Sequence, residues 1–359
     1  MARHRLGLIA AAVFAGSMLW AQPSFGACGS WQKSPAAPGI GGVLSDVSAT
    51  SATNVWAVGT TPFRDGSRTL AERWNGVAWK HVATPNPGRR SLRRDQLFTV
   101  AAISPTDVWA IGAWGINGTA PLLLHWDGVK WQRHRVPLHA RHAQLFDMVA
   151  ISANDILAVG DTAKGFLRSL HYNGSTWRAG GPDFADGRRP GLLAVAATAP
   201  SDVWAVGHGF GPFFVHFNGA SVWTESPPSR TFGTEVGVAA TSTNDAWGVG
   251  TYKLGSAIDH WNGTGWAVVL KTTKGPLLAV AASATTDVWV VGSGRAHAGP
   301  ATAHWNGTTW AQGIIPTIDP STLRAIVNVP TTTTYWAVGD TQHHPAGDSY
   351  RTPLIESRC

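Results

Sequence analysis

Two cysteines are all that this 359-residue chain contains, Cys28 and Cys359, so no thiolate cluster exists to hold a structural zinc. His139 and His142, and the pair His343-His344, lack a cysteine or carboxylate at metal-ligand spacing, and neither a metal nor another cofactor is expected. No window of about 11 residues or more after the N-terminal stretch holds a helical period, which excludes a helical domain. No long apolar run recurs after Trp20, so no membrane span is expected in the remainder. A phosphate-binding glycine loop and a Gly-x-Ser-x-Gly elbow are missing too. Charged residues make up only 14% of the chain, with a formal balance of +7, which bears on solubility and partners rather than on fold.

What is abundant is 41 Gly, 22 Pro and 19 Trp, the composition of many short strands joined by tight turns. Residues 277–310 show the unit: LLAVAASATTDVWVVGSGRAHAGPATAHWNGTTW. It contains four short apolar runs separated by turn residues, and Asn306-Gly307 marks a hairpin between the third and fourth. Four antiparallel strands in roughly 40–50 residues are the signature of a propeller blade.

The second-strand motif recurs seven times, centred on Trp56, Trp109, Leu157, Trp204, Trp247, Trp289 and Trp336. The hairpin motif appears in full only six times, as Trp74-Asn75-Gly76…Trp79 and its copies ending at Trp131, Trp177, Trp223, Trp266 and Trp310. The seventh is split: residues 353–359 supply a third strand, and the missing fourth lies at the other end around Cys28-Gly29-Ser30-Trp31. The expected fold is therefore all-β, a seven-bladed propeller of four-stranded antiparallel blades whose ring is closed by N- and C-terminal strands in one blade. Such a seam removes two exposed edges. A Cys28–Cys359 disulfide would lock it covalently, contributing on the order of 5 kcal/mol in the chain-entropy view.

The Asn-Gly-x-x-Trp hairpin resembles the Asp-box of BNR and sialidase-type propellers. The Trp-Ala-Val-Gly and His-Trp-Asn-Gly pairs resemble bacterial secreted propellers with BNR-like or kelch-like repeats. The Asp-box Ser and Asp, the paired kelch glycines and the WD40 Trp-Asp ending are absent, so the resemblance implies architecture and carries no activity with it.

The N-terminus reads as an export signal over residues 1–27, with Arg3, His4 and Arg5 before an apolar Leu6–Trp20 stretch; residues 28–359 form the single propeller domain. Secretion or a periplasmic location follows, with lipid anchoring at Cys28 the weaker alternative. Residues repeated in nearly every blade are expected to be scaffold. Seventeen of the Trp fall at repeat positions and should pack between blades. The column of His125, His171, His216, His260 and His304, with Arg73 in the first blade, should make structural hydrogen bonds.

Function is then sought in what varies. The loops joining strands two and three, and those joining one blade to the next, share one face, here termed the top. It carries Arg89, Arg90, Arg93 and Arg94 after blade one, Arg188 and Arg189 after blade three, and Arg230, Lys253, Lys271, Lys274, Arg295 and Arg351 elsewhere. Short turns with Asp107, Asp155, Asp202, Asp245 and Asp287 lie beneath. Arg324 is the only inner-strand arginine, and Asp46 and Asp147 are inner-strand carboxylates two blades apart, with Glu235 at a strand entrance. The favoured reading is a monomeric, non-catalytic binding module whose basic top recognises a glycan or extracellular protein, with no nucleic-acid role. The ligand-binding candidates are Arg89, Arg90, Arg93, Arg94, Arg188, Arg189, Arg324, Asp46 and Asp147, with no residue assigned as catalytic. The alternative is a glycan-active hydrolase or lyase at the channel mouth; the Asp46 and Asp147 pair suits either general acid/base chemistry or a cation bound in the channel.

Overall fold

A computed structural model describes residues 29–87, 94–116, 118, 120–137, 140, 143–162, 169–179, 191–209, 211–219, 223–295, 298–317, 319–344 and 350–359. It is an all-β ring of seven four-stranded antiparallel sheets, with no α-helix among the described residues. Blade one is representative: Val43–Ser51, Asn54–Phe63, Gly66–Trp74 and Trp79–His81 run from the axis outward.

The seam lies where the repeat count put it. Blade seven comprises Ser321–Asn328, Tyr335–His343 and Tyr350–Arg358, with Gln32–Lys33 as its outer strand. Gln32 pairs with Ser357 and Lys33 with Glu356, and the Gly29 amide donates to the Cys359 carbonyl at 2.9 Å. Trp31 is 3% exposed and meets Trp289 edge-on at 5.4 Å, as Trp79, Trp131, Trp177, Trp266 and Trp310 meet the second-strand tryptophan of the blade before them. Cys28, like the signal segment, lies outside the described residues.

Two local devices recur. Five of the hairpins between strands three and four open on an Asn or Asp whose side chain accepts the next backbone amides, as Asn75 Oδ1 takes those of Val77 and Ala78, both at 3.0 Å. Gly76 follows at φ 94°, which a side chain rarely adopts. In every blade a β-bulge interrupts the pairing of strands one and two, as between Leu44 and Asp46. Opposite it sits the glycine that ends the Trp-Ala-Val-Gly motif. At Gly59 an added Cβ would stand 2.0 Å from the Val43 carbonyl oxygen, so the motif glycine is fixed by close approach of two strands.

The hydrophobic core is divided into sectors, one in each gap between adjacent blades. The second-strand tryptophan fills the gap to the following blade, as Trp204 does against Trp261 and Trp266. The repeated His also has its expected hydrogen bond, and the partner is the turn aspartate of the same blade. His125–Asp107, His171–Asp155, His216–Asp202, His260–Asp245 and His304–Asp287 lie 2.6–2.7 Å apart. Blade one keeps the arrangement with different chemistry, Arg73 Nε donating to Asn54 Oδ1 at 3.1 Å.

Candidate functional site

The bulges aim one residue of each blade at the axis. Ser45, Phe98, Phe146, Leu193, Val236, Leu278 and Arg324 line a central cavity of about 220 Å³ together with Asp46 and Asp147. Three of the predicted site residues, Arg324, Asp46 and Asp147, thus meet at one place. Arg324 Nε binds Asp340 Oδ1 at 2.8 Å, and Arg351 Nη1 holds the other oxygen of that carboxylate at 2.8 Å.

Asp46, Thr99 and Asp147 occupy the same position of three consecutive blades, the residue after the bulge. Asp46 accepts the amides of Val47 and of Val100 in the next blade, both at 2.8 Å. Asp147 likewise accepts those of Met148 and Val195, both at 2.8 Å. The Thr99 hydroxyl lies between them, 2.9 Å from Asp46 Oδ2 and 3.1 Å from Asp147 Oδ1. One hydroxyl hydrogen serves only one acceptor well, so a proton on one carboxyl completes the bridge. Burial pushes both acids up, Asp46 to about 7 with the Asp147 charge adding to the effect, and Asp147 to about 6. These carboxylates stitch blades one to four together.

A second buried cluster was only partly visible in the sequence. Blade five has Glu235 where the other six blades carry leucine at the first paired position facing the motif glycine. Arg230, grouped by sequence with the basic loop residues, is 7% exposed. It binds Glu235 through Nη2, and its Nε lies 3.1 Å from Asp259. Burial and the Asp259 charge raise Glu235 to about 8 against the lowering effect of Arg230. Glu72, Asp259 and Glu356 share one third-strand register, and each holds the connection entering its own blade: Ala37 N on Glu72, Ser229 on Asp259 and Thr317 on Glu356.

On the top face, Arg89, Arg90, Arg93, Arg188 and Arg189 lie outside the described residues. Arg94 is exposed and forms a parallel bridge with Ser67. A cavity of about 660 Å³ opens there between blades five and six. Lys271, Lys274 and Arg295 stand on it, no carboxylate does among the described residues, and Leu270, Leu277, Ala301, Ala303 and Trp310 supply apolar surface. Its origin is legible in the register. Ala301 and Ala303 replace the pair that fills the corresponding gap as Leu122 and Leu124 in blade two and Phe213 and Val215 in blade four. The connection is also short, with 11 positions from Trp266 to Leu277, the closest spacing of any such pair in the chain. Beside the cavity, Tyr252 has the Lys271, Lys253 and Arg230 cations 4.9, 5.5 and 5.7 Å from its ring centre.

No family model matches the chain, and no curated protein does. Among solved structures it is similar to YCF48 from Cyanidioschyzon merolae, at 16% identity and a TM-score of 0.60 over 92% of this chain and 98% of that one. A YCF48 bound to D1 peptide gives the same TM-score, 0.60, with 91% and 96% covered at 16% identity. Virginiamycin B lyase from Staphylococcus aureus gives 0.63 at 10% identity over 92% of this chain and 99% of that one. These likenesses establish the propeller fold and leave the activity to be argued from the residues.

Proposed function

We propose that this chain is an exported, monomeric binding module that captures an anionic glycan or extracellular protein on its top face. The observation that carries the reading is the cavity between blades five and six, which combines three cations, no carboxylate and an apolar floor. Such a surface favours a ligand with both negative charge and a nonpolar face, and the low local dielectric of a concave site strengthens the attraction. The structural similarity to YCF48, one structure of which holds a D1 peptide, supports a propeller binding role of this kind. Export rests on residues 1–27, and the seam disulfide on the proximity of Gly29 to Cys359.

The second reading, a glycan-active hydrolase or lyase, draws on the raised pKa values of Asp46 and Asp147, which suit proton transfer near neutral pH. Binding is favoured because each of their carboxylate oxygens already accepts a backbone amide. A glycan array of the refolded mature protein at two salt concentrations tests the proposal. Retention of acidic glycans that weakens with salt supports it, and an array blank at both concentrations contradicts its glycan form. Release of reducing ends from a retained glycan would move the reading to catalysis.

A further inference from the structure

Six blades carry tryptophan at the centre of the second strand, and blade three carries Leu157. In blades two, four, five and six that indole is stacked on the histidine of its own blade, with ring centres 3.9–4.3 Å apart. It also meets the third-strand aromatic of the following blade, as Trp109 does Tyr172 and Trp204 does Trp261, and the outer-strand tryptophan, nearly perpendicular: Trp109 on Trp177 at 5.4 Å and Trp204 on Trp266 at 5.5 Å. The molecule therefore shows, several times over, what chemistry fills this space.

Between blades three and four the walls remain and the ring is missing. A cavity of about 510 Å³ is lined by Asp155, Leu157, His171 and Arg178 of blade three and by Phe217 and Trp223 of blade four. Asp155 still holds His171 Nε2 at 2.7 Å, so the imidazole keeps the orientation it has elsewhere. Its side chain is 44% exposed, against 12–25% in the four blades that carry the indole. Trp223 is half-buried, as is Trp310, whereas Trp31, Trp79, Trp131, Trp177 and Trp266 are buried. Arg178 is exposed at the rim.

We propose that this cleft binds an aromatic side chain of indole size presented by a partner polypeptide, stacked on His171 and meeting Trp223 edge-on. A partner residue thus takes the place that the chain's own tryptophan takes in the other gaps. Arg178 favours an acidic residue next to that aromatic, which a free ring would leave unused. The cleft lies at the strand ends opposite the basic top, beside the turn aspartate Asp155, so it is independent of the anion site proposed above.

The test is ¹⁹F NMR of two probes, N-acetyl-5-fluorotryptophan amide and the same residue preceded by glutamate, titrated with the full mature chain. Saturable line broadening is expected, stronger for the glutamate probe, and absent with Leu157→Trp, which fills the space from within. Unlabelled N-acetyl-leucinamide should fail to compete. Absence of broadening by folded wild type, unchanged broadening by Leu157→Trp, or competition by the leucine amide would each overturn the proposal, and equal binding of the two probes would overturn the role given to Arg178. If Leu157→Trp does not fold, Trp223→Ala replaces it, with a loss of about tenfold in affinity expected for one aromatic contact and an unchanged affinity contradicting it.

Discussion

Replacing Thr99 by valine removes one hydroxyl from the axis at nearly constant shape. Thr99 is 1% exposed, so no water substitutes readily for the hydrogen it offers to Asp46 and Asp147. Both aspartates have folded pKa values above the ordinary 3.8, about 7 and about 6. The native state therefore keeps protons that the unfolded chain has released. The stability tied to these groups is full below about pH 4 and is lost as pH rises through the folded values. Thr99 lowers both pKa values, so Thr99→Val raises them and deepens the loss. At about pH 5 the hydroxyl contributes a neutral hydrogen bond, about 1 kcal/mol; at about pH 8 it serves an ionised acceptor, about 1.5–3 kcal/mol. Urea unfolding followed by tryptophan fluorescence should show a cost of about 1 kcal/mol rising to about 1.5–3 kcal/mol between those pH values. An equal cost at both, or a greater one at the acidic end, would refute the shared-proton bridge.

Arg230→Met leaves Glu235 and Asp259 buried without their cation and should cost about 3–5 kcal/mol, read as a lowered urea midpoint; a near-neutral result would mean that the cluster contributes only packing. Trp247→Leu recreates in blade five the exchange that blade three carries naturally. It should cost about 2–4 kcal/mol in the same assay, with a urea midpoint unchanged from wild type counting against tryptophan as the filler of the gaps. Non-reducing peptide mapping of exported protein should find Cys28 linked to Cys359, and unlinked cysteines would remove the covalent part of the seam.

The seven blades and the split seam were legible because they are written in periodic residues: the Trp-Ala-Val-Gly pattern, the Asn-Gly hairpin and the one copy cut in two. The histidine and aspartate columns were each visible, but their pairing required the register of strands two and three. That register puts His125 opposite Trp109, two residues beyond Asp107. Asp46 and Asp147 read as separated by two blades, since nothing in the sequence marks the bulge that aligns them with Thr99. Arg230 read as a surface cation because a loop position says nothing of burial; the signal that could have found its partners is Glu235 in a column of leucines. The cavity between blades five and six had a faint signature, Ala301 and Ala303 where blades two and four carry Leu122 and Leu124, and Phe213 and Val215.

If the repeated residues build the scaffold, recognition lies where the repeat is interrupted. The direct measurement is retention of the mature protein on an immobilised acidic polysaccharide across a salt gradient, comparing wild type, the triple variant Lys271→Glu, Lys274→Glu, Arg295→Glu, and a control in which Lys80 and Lys130 of two regular blades are reversed. Salt-sensitive retention is expected, lost in the triple variant and nearly intact in the control, because only the first three cations surround the cavity. Equal loss in both variants, or retention untouched by the triple reversal, would contradict it.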